Sequence, residues 1–187
     1  GRGPTERNPG DLFSVSNIDA YDSPRLYELW VEQRFVGDRF SLRAGQLSAE
    51  SDFVLTEGSD DLLNGTFGWP AFLALNVPSP GYPLTTPGVR AAWQVTEGVF
   101  LKAAVFDGNP DPGGILGEPV NPHGTRFNFS EGALIMSEAG YALHHPGEAT
   151  PRGAWRVGYW HLLHATPDLA RTSRGEWIDG SAPPRMH

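Results

Sequence analysis

The stretch that decides the fold is Arg25-Leu-Tyr-Glu-Leu-Trp-Val-Glu-Gln-Arg-Phe35, followed by Val36-Gly-Asp38 and Arg39-Phe-Ser-Leu-Arg-Ala-Gly45. In the first segment Tyr27, Leu29, Val31 and Phe35 fall on one parity, and most charged residues fall on the other. Successive side chains of a strand point to opposite faces, so this pattern predicts a strand with one apolar and one charged face. The second segment alternates in the same way, and the Gly-Asp pair between them predicts a tight turn. The sequence therefore predicts an antiparallel hairpin.

The same alternation recurs further along the chain and predicts two more hairpins. One turns at Thr96-Glu-Gly98, and a less regular one turns near residues 144–152. About seven strands are expected in total, all antiparallel, and the chain is predicted to be a single all-β domain over residues 1–187. Beyond the first hairpin, the strands are predicted near 11–18 (the weakest), 89–95, 99–105, 133–141 and 155–160.

The lengths of the connections alternate along the chain. Short turns follow every second strand, and long loops rich in Gly, Pro and Asp are expected near 46–88, 107–125 and 166–187. In an up-and-down sheet this order puts the short turns at one end and the long loops at the other. Transmembrane β-barrels of the outer membrane have that asymmetry. The pattern favours an antiparallel up-and-down transmembrane β-barrel and leaves open a soluble exported β-sandwich.

The composition excludes several other classes. The 187 residues contain no Cys, which excludes disulfide frameworks, Cys-ligated zinc and thiol catalysis. The net charge of −8 and the scattered arginines argue against a nucleic-acid partner. The longest uncharged run, residues 62–89, is interrupted by prolines, which excludes a membrane-spanning helix there.

The two faces of the predicted strands differ in their chemistry. The apolar faces carry aromatic residues near the segment ends, as in the aromatic girdles of membrane barrels: Tyr27, Phe35, Phe40, Trp93, Trp155 and Tyr159. In a barrel the opposite faces would line the lumen, where Glu accepts hydrogen bonds from sugar hydroxyls, Arg donates them and Trp can stack on a sugar ring. The alternative is that these side chains only wet the wall and pair with one another. The candidates for pore lining or sugar contact are Glu28, Trp30, Glu32, Arg34, Arg43, Arg90, Lys102, Glu138, Arg156 and Trp160.

Several motifs, in their order along the chain, resemble those of the carbohydrate-selective porins of Gram-negative outer membranes, the OprB type. The resemblance covers about residues 11–161. It implies a sixteen-stranded barrel that passes small glucose-like sugars by facilitated diffusion, without a cofactor and without enzymatic chemistry. The motifs are Ser16-Asn-Ile-Asp-Ala20, Arg25 to Phe35, Leu42-Arg-Ala-Gly-Gln46, Asn64-Gly-Thr-Phe-Gly-Trp-Pro70, Pro80-Gly-Tyr-Pro83, Pro87-Gly-Val-Arg90 and Ala104-Val-Phe-Asp-Gly-Asn-Pro110.

Because about seven strands are too few to close such a barrel, the chain is expected to be a central fragment of a porin. The expected partners are small sugars and the lipid bilayer of the outer membrane, and homo-oligomer formation is an open alternative. A soluble carbohydrate-binding β-sandwich is the main rival interpretation, and a β-rich glycoside hydrolase is a weaker one. Glu28 and Glu32 would lie about 13 Å apart along a strand, farther than the roughly 5–9.5 Å between the carboxyl groups of a glycosidase pair.

One loop carries a weak calcium motif. Asp107, Asn109, Asp111 and Glu118 have the spacing of the oxygen ligands in an EF-hand loop. Pro112 stands where that loop requires Gly, and the flanking segments are predicted strands instead of helices. An acidic external loop explains the same residues, so no metal is expected.

Overall fold

The computed structural model describes residues 23–54, 61–62, 67–70, 73, 79–108, 110, 121–127, 129–130, 132–143 and 153–163. Six strands in this part of the chain form one antiparallel sheet, in which each strand pairs with its neighbour in sequence. This meandering order confirms the predicted all-β, up-and-down architecture. The predicted strand near 11–18 lies outside the described residues. The strands are β1 Leu29–Phe35, β2 Phe40–Leu47, β3 Thr86–Gln94, β4 Val99–Asp107, β5 Ala133–Leu143 and β6 Gly153–Leu162.

The first hairpin turns where the sequence predicts it. Val36, Gly37 and Asp38 all have positive φ values (54°, 63° and 64°) between β1 and β2. The alternation predicts a strand that begins at Arg25, but strand β1 begins at Leu29. The reason is a non-local contact: the Leu26 N–H donates to the carbonyl of His123 at 3.0 Å, so this part of the chain bonds to a loop instead of a strand.

The register of the sheet separates the side chains into two faces. One face, here called the apolar face, is largely exposed, and the residues Val31 and Val157 are each 77% exposed. Most of its aromatic residues lie near the short turns, where Phe35 is opposite Phe40, Phe40 is opposite Trp93 and Tyr141 is opposite Trp155. Other exposed members of this face are Leu29, Val89, Leu101, Val105 and Tyr159.

The opposite face, here called the charged face, is covered in part by the start of the loop between β2 and β3. A small hydrophobic core forms between this loop and β4 and β5, where the rings of Phe53 and Phe106 meet edge to face with centroids 6.3 Å apart. The core therefore lies on the side of the sheet that also carries the charges. Its buried members are Leu47, Ala49, Phe53, Leu73, Ala104, Phe106, Leu134 and Met136. Within the described residues, no helix is long and apolar enough to span a membrane.

The exposure of the apolar face generates a prediction about lipid contact. Val157 lies midway along β6 on that face, and Ala154 lies on the same strand on the opposite face. Val157→Arg should destabilise the complete protein in lipid vesicles by about 2–4 kcal/mol, the cost of an Arg at the bilayer midplane. Ala154→Arg, which adds the same charge to the other face, should cost much less. Urea unfolding in vesicles measures both, and equal losses would contradict a lipid-facing role for the apolar face.

Candidate functional site

The charged face brings together nearly all the side chains that the sequence singles out. Glu32 is opposite Arg43, and Arg43 is opposite Arg90, so three adjacent strands present these charges in one row. Lys102 and Glu138 are opposite each other on β4 and β5. Because directly opposed residues share a face and alternate residues return to it, the following also lie on the charged face: Trp30, Arg34, Arg156 and Trp160.

Glu28 is the one predicted candidate outside the strands. It precedes β1, and its carboxylate accepts a hydrogen bond from the Ser48 N–H at 2.9 Å. Its position therefore ties the chain before β1 to the start of the long loop.

An ion-pair network occupies the row on β1 to β3. The Glu32 carboxylate lies 2.9 Å from Nη2 of Arg43 and 2.8 Å from Nη2 of Arg90. Asp52, from the loop, lies 3.2 Å from Nη1 of Arg43 and 3.1 Å from Nε of Arg90. Two arginines directly opposite each other repel, and the two carboxylates offset that repulsion. The third Arg90 nitrogen, Nη1, donates to the Ser41 hydroxyl at 2.7 Å.

The same contacts hold the loop against the sheet, and strands β4 and β5 add two more. The Lys102 ammonium donates to the backbone carbonyl of Asp52 at 2.5 Å. The Val54 N–H donates to Oε2 of Glu138 at 3.1 Å. The segment 48–54, here called the latched loop, is thus bound to four strands of the charged face.

Beside the latched loop lies a second group of candidates on β4 to β6. The Lys102 ammonium is 3.9 Å from Oε1 of Glu138. A cavity of about 400 Å³ opens next to them. Its lining includes Phe53, Met136, Glu138, Arg156 and Trp160.

Sequence reasoning missed Asp52 and Phe53. Neither belongs to an alternating segment, and Ser48-Ala-Glu-Ser-Asp-Phe53 reads as an ordinary loop. The sequence offered only an indirect signal for Asp52. One predicted face carries more arginines than carboxylates, so carboxylates from outside the strands are needed to pair with them. Of the weak calcium candidates, Asp107 ends β4 and is buried, whereas Asn109, Asp111 and Glu118 lie outside the described residues. In the part of the chain that the structure describes, no three His, Asp or Glu side chains are grouped as a metal site.

Comparison with known proteins agrees with this geometry. The sequence matches the family described as "Carbohydrate-selective porin, OprB family" over residues 1–186. The chain belongs to this family. Its porins are outer-membrane proteins of Gram-negative bacteria, which places the chain in the outer membrane.

The fold is similar to that of OprB from Pseudomonas putida in its high-pH structure, with a TM-score of 0.70 and 20% sequence identity. The similarity covers 88% of this chain and 38% of that one, so the chain spans well under half the length of the solved porin. No curated protein matches the sequence.

Arg90 and Arg34 both pair with Glu32, but the network predicts that replacing Arg90 lowers the stability of the protein more than replacing Arg34. Arg90 is almost fully buried, with 4% of its side chain exposed, whereas Arg34, which also pairs with Glu32, is 62% exposed. Arg90→Gln leaves Glu32 and Asp52 undercompensated and should destabilise the complete porin by about 3 kcal/mol. The matched control Arg34→Gln should cost less than about 1 kcal/mol. Urea unfolding in vesicles compares them, and equal costs would refute the network as a stabilising element.

Proposed function

We propose that this chain forms part of the wall, and one inward-folded loop, of an outer-membrane porin through which small glucose-like sugars diffuse. The observation that carries the proposal is the contrast between the two faces of one sheet. The apolar face exposes valines and an aromatic row, which suits contact with lipid. The other face gathers paired charges and a folded loop, which suits a water-filled lumen narrowed from within.

The charged face has the chemistry that a passive sugar pathway requires. Carboxylates accept and guanidinium groups donate hydrogen bonds, so the wall can exchange partners with sugar hydroxyls. Contacts must stay weak, since a solute that binds tightly does not leave the pore. In this proposal the lumen-lining residues are Trp30, Glu32, Arg34, Arg43, Arg90, Lys102, Glu138, Arg156 and Trp160, with Glu28 holding the latched loop from the rim.

The edges of the sheet support a larger assembly. Within the described residues, β1 and β6 each pair on one side only. Unpaired backbone groups in a bilayer cost several kcal/mol each. We infer that both edges continue into further strands of one barrel, of the sixteen-stranded kind that the resemblance implies. Homo-oligomer formation remains a prediction.

The rival interpretations have less support. A β-sandwich would cover the apolar face with a second sheet, whereas the six described strands form one sheet whose apolar face is exposed. A glycoside hydrolase needs two carboxyl groups that can act on a substrate, whereas the Glu32 and Asp52 carboxylates are both engaged by Arg43 and Arg90. The proposal is therefore a transport role without covalent chemistry, as in the porin family.

The latched loop provides the test. In liposomes that contain the complete porin, we expect glucose to enter quickly and the trisaccharide raffinose slowly. Asp52→Asn removes the charge that binds the loop to Arg43 and Arg90, so the raffinose-to-glucose rate ratio should rise roughly threefold or more as the pore widens. Osmotic swelling measures the two rates.

Asp38→Asn is the matched control, because it makes the same charge change in the exposed turn between β1 and β2, where Asn accepts the positive φ. Its rate ratio should equal that of the wild type. An unchanged ratio in Asp52→Asn would reject the loop as the constriction, and a wild-type porin that admits no glucose would reject the sugar-porin function itself.

A further inference from the structure

A second long loop is held in place at the same end of the sheet as the latched loop. Residues 121–124, from the loop between β4 and β5, are hydrogen-bonded to residues 23–26, which precede β1. The Leu26 N–H donates to the His123 carbonyl at 3.0 Å, and the His123 ring nitrogen Nδ1 lies 3.0 Å from the Pro24 carbonyl oxygen. Because β2 and β3 lie between β1 and β4, the loop crosses three strand spacings, about 14 Å, to make these bonds. The two bonded segments are here called the clasp.

Gln46 of β2 is the side chain that joins the two segments of the clasp. It is only 6% exposed, and its Nε2 donates to the Leu26 carbonyl at 2.9 Å and to the Gly124 carbonyl at 2.7 Å. A side-chain amide has two hydrogens, so each segment can receive one. The Thr85 hydroxyl, 2.8 Å from the same nitrogen, brings the chain before β3 to this point. One amide group therefore connects three parts of the chain that are remote in sequence.

The turn that follows Asn121 presents its carbonyls to this amide. Asn121 is buried, and its Oδ1 accepts the N–H groups of Thr125 and Arg126 at 3.0 Å each. Gly124 has a φ of 68°, and a Cβ atom there would lie 2.5 Å from the Leu26 carbonyl oxygen. A side chain at this position would strain the backbone and push the two segments apart, so the close approach depends on glycine.

The register of the sheet fixes the side on which the clasp lies. Gln46 is directly opposite Leu29, which is exposed on the apolar face. Along β2, Leu42 and Ala44 of this face are exposed, and Gln46 is the first buried residue that follows them on it. The clasp therefore covers the apolar face at the end of the long loops, whereas the latched loop covers the charged face. The two loops are bound to opposite sides of one sheet.

In the porin proposed above, the apolar face is the outside of the wall and the charged face is the inside. Residues 121–124 are thus held outside the wall, away from the entrance that the long loops surround. We propose that Gln46 is a positioning residue for transport, which holds this part of the β4–β5 loop on the outer side and so keeps the entrance of the pore open. The proposal rests on the porin function proposed above and gives this loop a role opposite to that of the latched loop.

The experiment measures the raffinose-to-glucose rate ratio of the complete porin in liposomes by osmotic swelling. Gln46→Leu removes the donor for both carbonyls of the clasp, so the released loop should move over the entrance. The ratio should fall roughly threefold or more, because a narrower entrance slows the larger sugar most. This direction is opposite to that expected for Asp52→Asn. Gly124→Ala should also lower the ratio, since it forces the two segments apart without removing a hydrogen-bonding group.

Gln33→Leu is the matched control. Gln33 is exposed on the apolar face of β1, and its amide donates to the carbonyl of the adjacent Arg34 at 2.9 Å, a bond that joins no distant segments. The same substitution at this position should leave the rate ratio at the wild-type value.

A cross-link separates displacement of the loop from a general loss of stability. The Ser23 hydroxyl lies 2.8 Å from the Pro122 carbonyl oxygen across the clasp, and the 187 residues contain no Cys. Ser23→Cys and Pro122→Cys, added to Gln46→Leu and joined by a short cleavable thiol cross-linker, should restore the wild-type ratio. Cleavage of the linker should lower the ratio again.

The outcomes distinguish the positioning role from the porin function. If Gln46→Leu and Gly124→Ala both keep the wild-type ratio, or if the cross-link does not restore it, the role of Gln46 is refuted and the porin function stands. If the ratio rises in both variants, the clasp narrows the entrance instead of keeping it open, and the proposal is overturned. If the wild-type porin admits no glucose, both proposals fall.

Discussion

The arrangement of the charged face depends on the burial of the Arg90 guanidinium. Only 3% of this residue is exposed, and a buried charge is costly unless it is paired and hydrogen-bonded. Glu32 of β1 and Asp52 of the loop provide the pairing, and Ser41 of β2 adds a hydrogen bond. One buried cation on β3 thereby fixes the relative positions of two other strands and a loop. Without the loop, the row of Glu32, Arg43 and Arg90 would have fewer carboxylates than arginines.

The other constraint is the strict register of the sheet. A shift of one residue in any strand would move its valines to the charged face and its charges to the apolar face. Close backbone approach helps to fix this register at Gly45, where φ is 147° and a Cβ atom would lie 2.3 Å from the Leu29 carbonyl oxygen. Gly140 has a related role on β5, since the Phe100 ring occupies the place of its missing side chain.

These constraints explain how much the sequence alone could predict. The alternation of apolar and charged residues predicted the six described strands, the turn at residues 36–38 and the face on which the charged candidates lie, because those features depend on local sequence. It misplaced the start of β1, since the Leu26 contact with His123 spans many residues. It also gave no role to Asp52 or Phe53, because the course of a loop depends on contacts with distant strands and not on any repeat. The grouping of Glu138 with Trp160 across β5 and β6 likewise required the register.

The pairing of charges bears on what the proposed pore would admit. The charged face with its latched loop sets the cations Arg34, Arg43, Arg90, Lys102 and Arg156 against the carboxylates Glu32, Asp52 and Glu138. Close ion pairs cancel much of each other's field at a distance but keep their hydrogen-bonding groups. A wall of this kind offers many donors and acceptors with only a small excess charge. In the proposed pore such a wall would suit neutral solutes that carry several hydroxyls, because it offers them many hydrogen bonds, whereas its small net field would attract ions only weakly.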